Sequence, residues 1–138
     1  MDFASQIAPF TMDIIDGNVS VTLYTSHKYK KRLFKTRKKE GFDGSGYDWE
    51  SLAQVFLQEK APDLIEKIDF DSEHLCFVAY STDEDAMKRF IIMFKETCEN
   101  DKLITDIFSR TAPQEPITTE DMESVLNMIM NRNENSSK

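Results

Sequence analysis

Residues 7–15 and 18–25 are rich in β-formers, with Val19, Val21 and Leu23 alternating against Ser20, Thr22 and Tyr24. A period of two is that of a strand with one buried face. Asp16-Gly17 stands between the two runs. An Asp-Gly pair in that place predicts a β-hairpin, because both central residues of a type I′ turn need positive φ. From Ser26 to Gly41 the spacing of Tyr29, Leu33 and Phe34 allows an amphipathic helix, with Ser26 as cap and Gly41 as stop. Its lysines would repel one another at i, i+4, so an extended arm is the alternative.

Gly41-Phe42-Asp43-Gly44-Ser45-Gly46 reads as a shaped loop. Asp48 is then expected to cap a helix whose apolar positions are Trp49, Leu52, Ala53, Phe56 and Leu57. Pro62 opens a short turn carrying Leu64, Ile65 and Ile68. The run Leu75 to Tyr80 is short and apolar, the pattern of a buried central strand. Asp83 caps a further helix with Met87, Phe90, Ile91, Phe94 and Cys98 on one face. A short helix carries Leu103, Ile104, Ile107 and Phe108. After the connector Ala112 to Pro116, a Thr118-x-x-Asp121 signature begins another with Met122, Val125, Leu126, Ile129 and Met130. The expected fold class is α+β: an N-terminal β-hairpin plus a further antiparallel strand, packed against several amphipathic helices. A single domain over residues 1–130 and a flexible polar tail over 131–138 complete the expectation.

Composition agrees with a folded chain: 40% of the 138 residues are hydrophobic, with ten Phe and seven Met to fill a core. Charge changes the picture more. Between Lys28 and Lys39 lie eight basic residues and no acidic one, which leaves nine basic against twenty-five acidic residues elsewhere. An acidic surface draws basic partners and disfavours nucleic acid, with one local exception. The opening MDFASQIAPF has no basic stretch followed by an apolar one, and no apolar run approaches a bilayer span, so a cytoplasmic protein without membrane association is expected. Cys76 and Cys98 lack CxxC spacing and read as packing residues in a reducing compartment.

Reactive patterns are missing from the sequence. Gly41, Gly44 and Gly46 spell G-x-x-G-x-G, neither the dinucleotide fingerprint nor a P-loop. His27 and His74 belong to no zinc pattern, and Asp69, Asp71 and Glu73 lack the glycine and closing Glu of a calcium loop. Cys76 and Cys98, both expected to be buried, would be poor nucleophiles. No enzymatic activity, metal or cofactor is therefore expected. The basic run, interleaved with Tyr29 and Phe34, could clamp phosphates and stack bases. It could equally be a solvated helix face or a counter-charge to the acidic remainder, and a pI near 4.8 weighs against nucleic acid.

One passage is more specific. Gly44-Ser45-Gly46-Tyr47-Asp48-Trp49-Glu50-Ser51-Leu52-Ala53 is followed by Phe56-Leu57 and Pro62-Asp63-Leu64, then by Ile68 to Glu73 and Phe77 to Asp83. In order and identity this resembles the immunity protein 51 family, small proteins of bacterial polymorphic-toxin loci whose pattern is similar to G-x-G-Y-D-W, then F-D-P-E, then A-Y-S-x-D. The resemblance spans about Gly41 to Ser109. It departs at Ser72, where proline is expected, and in the basic character of the segment before Gly41. What it implies is neutralisation of a cognate toxin by direct binding in the producing cell's cytosol. Many such toxins are nucleases with positive clefts, which an acidic domain could cover. The residues it singles out for motif or partner contact are Gly44, Gly46, Tyr47, Asp48, Trp49, Asp71, Glu73, Tyr80 and Asp83. The alternative function is a nucleic-acid-binding or regulatory adaptor acting through segment 28–39.

Overall fold

A computed structural model describes residues 2–113, so the helix expected after Thr118 and the polar tail lie outside the described residues. Two layers form the fold. A four-stranded antiparallel sheet is built from β1 (Thr11–Ile15), β2 (Asn18–Tyr24), β3 (Asp69–Phe70) and β4 (Cys76–Ser81), in the order β1-β2-β4-β3. Against one face lie α3 (Gly46–Lys60) and α4 (Glu84–Glu99), with α1 (Phe3–Ile7) and α5 (Asp101–Ser109) packed on the helices. The α+β architecture is the one expected, with one strand more.

The hairpin forms for the anticipated reason: Asp16 and Gly17 have φ of 52° and 81°. Its first strand is shorter than the β-forming run. Residues 3–7 coil into α1, whose Asp2 accepts from Ser5 N–H at 2.8 Å, and the strand begins only at Thr11. β3 was not expected. It is two residues long, paired with Tyr80 and Ala79, and sits in what reads as a charged loop.

The 26–41 segment is not one helix. A 3-10 turn at Thr25–His27 and another at Lys38–Glu40 flank a single α-helical stretch, α2 (Lys31–Lys35). Ser26 is no cap; Lys28 and Lys30 instead adopt left-handed φ of 56° and 55°. These two residues break the helix and turn Tyr29 inward, where it stacks on Trp49 with ring centroids 5.7 Å apart. Like-charge crowding gives a continuous helix nothing to compensate the break. Gly41 does end the segment, at φ 109°.

Trp49 is the centre of the core. Beyond Tyr29 it meets Phe10, Phe34 and Phe94 edge-on at 5.8, 5.1 and 6.0 Å. Each such ring pair contributes about 0.5–1.5 kcal/mol beyond burial itself. The apolar stripes read for α3 and α4 are buried, as are Ile104, Ile107 and Phe108 of α5; Leu103 is exposed. Leu75 and Tyr80, read as part of a buried strand, are 70% and 44% exposed. Only Phe77, Ala79 and Ser81 of β4 turn inward, so the strand follows a period of two, with one face left open among the described residues.

Candidate functional site

The glycine-rich turn shows what G-x-G-Y-D-W does. Ser45, not Asp48, caps α3, its Oγ accepting from Asp48 N–H at 3.2 Å. Asp48 sits inside the first turn, and its Oδ2 accepts from the N–H groups of Asp43 and Gly44 at 2.8 and 2.9 Å. This is a capping box that reaches further back than usual. The loop amides that would cradle a phosphate are thus occupied by an internal carboxylate. Burial pushes the Asp48 carboxyl above the usual range, against the pull of those two donors. Gly46 N–H donates to His74 carbonyl at 2.9 Å, locking the start of α3 onto the β3–β4 turn. Trp49 anchors the next turn in the core.

Gly44, Gly46, Asp48 and Trp49 are therefore scaffold. Asp83 is too: it caps α4 by accepting from Ala86 N–H at 3.0 Å and pairs with Lys67 at 3.2 Å. The Ala86 amide first, and then the Lys67 ammonium, hold its carboxyl below the ordinary range.

The remaining four singled-out residues lie at the surface, and three of them share one face. The strand register aligns Asp13, Ser20, Tyr80 and Asp69 in a row across all four strands. The next row is Thr11, Thr22 and Val78, with Asp71 N–H donating to Val78 carbonyl at 3.0 Å. A third places Tyr24 beside Cys76, and Cys76 opposite Glu73. Asp69, Asp71 and Glu73 do not make a loose acidic loop; they form one margin of an open sheet face whose middle carries Tyr24, Val78 and Tyr80. Tyr47, 40% exposed, follows Gly46, whose N–H meets the β3–β4 turn. Tyr24 and Leu75, also exposed, were not singled out. The alternation through Leu23 would have placed Tyr24 outward; nothing in the apolar run announced Leu75.

Cys76 belongs to this open face and is half-buried, so the reading of it as a core thiol is corrected. Cys98 is buried, and burial pushes its thiol well up. His27 and His74 are exposed, and among the described residues no group of three or more His, Cys, Asp or Glu could hold a metal ion.

In the basic segment, Tyr29 and Phe34 point into the core and have no face for bases to stack on. Two of its cations are internal. Arg37 donates to the Phe108 and Thr111 carbonyls, pairs with Glu40 at 2.7 Å and lies over Phe42 and Phe108. Lys30 reaches Glu99 and Asp101 at 3.6 and 3.5 Å.

Fold and surface together define a small acidic domain with a one-sided sheet, its polar chemistry spent on holding loops and presenting a face. The chain belongs to the immunity protein 51 family, whose model matches residues 12–113 and so takes in the hairpin and the basic segment as well as the G-Y-D-W passage. No curated protein and no solved structure matches it. No helix among the described residues is long and apolar enough to cross a membrane.

Proposed function

We propose that this protein binds a cognate toxin of a bacterial polymorphic-toxin system in the cytosol of the producing cell and masks the toxin's working surface, catalysing no reaction itself. The observation that carries this reading is the open sheet face, where Tyr24, Val78 and Tyr80 are bordered by Asp13, Asp69, Asp71 and Glu73. Tyrosines on a rigid sheet supply large contact area at small entropic cost, and interface hot spots are rich in them. Carboxylates at the margin suit a basic toxin surface and would accelerate encounter. Family membership supplies the kind of partner.

The test takes as its probe any toxin domain found encoded beside this gene. Co-expression should rescue growth, and calorimetry should detect tight association. Tyr80→Ala should weaken affinity by about 2 kcal/mol, close to thirtyfold. Asp69→Asn with Asp71→Asn should mainly slow association at low salt. Unchanged affinity in all these variants would remove the face from the interface.

A further inference from the structure

Six cations of the basic segment, Lys28, Lys31, Arg32, Lys35, Lys38 and Lys39, are exposed and make no ion pair among the described residues. They are not a uniform solvated face. Lys28, Lys31 and Arg32 form one wall of an open trough of about 690 Å³ between α2 and α5, with Thr105 opposite. Half-buried Leu33 supplies apolar surface to the same trough, over the buried Ile104 of α5, and the Lys30 to Asp101 contact lies within it.

We propose that this trough docks an acidic amphipathic segment of a partner protein. Charge complementarity selects the sign of the occupant: unpaired cations are concentrated here on a chain that is acidic elsewhere. The apolar contribution selects its kind. A phosphate backbone offers nothing to Leu33, would meet the Asp101 carboxylate, and would find Tyr29 and Phe34 turned away. A peptide with carboxylates on one side and aliphatic side chains on the other satisfies both wall and apolar surface. The trough lies between α2 and α5 on the helical layer, with Lys28 and Lys31 also lining a smaller cleft beside Tyr24 at the end of the sheet face, and the inference does not rest on the toxin reading.

Calorimetry on the full chain tests it with three probes: a Glu/Leu peptide of about sixteen residues with helical amphipathic spacing, an all-Glu peptide of equal charge, and single-stranded and duplex oligonucleotides. The Glu/Leu peptide should bind about tenfold or more tightly than the all-Glu peptide, and weaken as salt rises from about 0.05 to 0.5 M. Lys28→Ser with Lys31→Ser and Arg32→Ser should abolish that binding while the circular dichroism melt stays cooperative. Tyr80→Ala should leave it unchanged, which separates this surface from the sheet face. Oligonucleotides binding more tightly than the Glu/Leu peptide, equal binding of the two peptides, or no peptide binding would each overturn the proposal.

Discussion

Gly44 and Gly46 are two positions apart and are glycine for unrelated reasons. Gly44 has φ of 81°, a region where a Cβ costs about 1–2 kcal/mol, but there is room for one, its nearest neighbours being Phe34 atoms at 3.8 Å or more. Gly46 has ordinary helical backbone, yet a Cβ there would collide with the carbonyl oxygens of Glu73 and Cys76, which are main chain and cannot swing aside. Gly44→Ala should therefore cost about 1 kcal/mol and leave the fold intact. Gly46→Ala should cost about 3 kcal/mol or more by forcing α3 off the β3–β4 turn. Urea denaturation of the two variants checks this ordering, and a larger loss for Gly44→Ala would refute it. Tyr47, directly after Gly46 and before the loop-bonded Asp48, is held outward with its backbone already fixed.

At the scale of elements, helix ends carry much of the local logic. Asp83 is the clearest: its carboxylate is stabilised by the Ala86 amide and by Lys67, so its folded-state pKa lies below the unfolded value near 3.8. The stability it adds is present above that value and is lost as pH falls through the depressed folded one. Asp83→Asn keeps a capping oxygen but no titrating charge. It should flatten the acid arm of the stability profile below about pH 4, as followed by thermal melts, with little change in shape above that. The elements set by local rules were legible in sequence: the Asp16-Gly17 hairpin, the apolar stripes of α3 and α4, the cap at Asp83. Those set by tertiary demand were not. Residues 26–41 have helical spacing, but Trp49 draws Tyr29 inward through two left-handed lysines. β3 is too short for a period to register. Asp48 looks like a cap because it precedes an apolar stripe, whereas Ser45 is the cap and Asp48 serves the loop behind it. The same limit hid the site: Asp71, Glu73 and Tyr80 were named, but only strand register unites them with Tyr24 and Asp13.

The described residues form two layers with one dry interface and one wet face. The chain's two cysteines sample one each. Cys98 is sealed in the helical layer, while Cys76 sits half-buried on the open side of β4. A thiol reagent added to the native protein should modify one cysteine, identified as Cys76 by peptide mapping, and reach Cys98 only after denaturation. Equal reactivity of both in the native state would contradict the one-sided architecture. Charge is divided as well, with carboxylates bordering the sheet face and lysines surrounding α2. The single tryptophan links these halves, because Trp49 opens α3 beside the sheet and is stacked at 5.7 Å on Tyr29, the residue that roots the basic segment. Its indole emission is consequently an intrinsic optical gauge: an occupant that tugged on the lysine-rich bulge would alter quantum yield or wavelength with no dye attached.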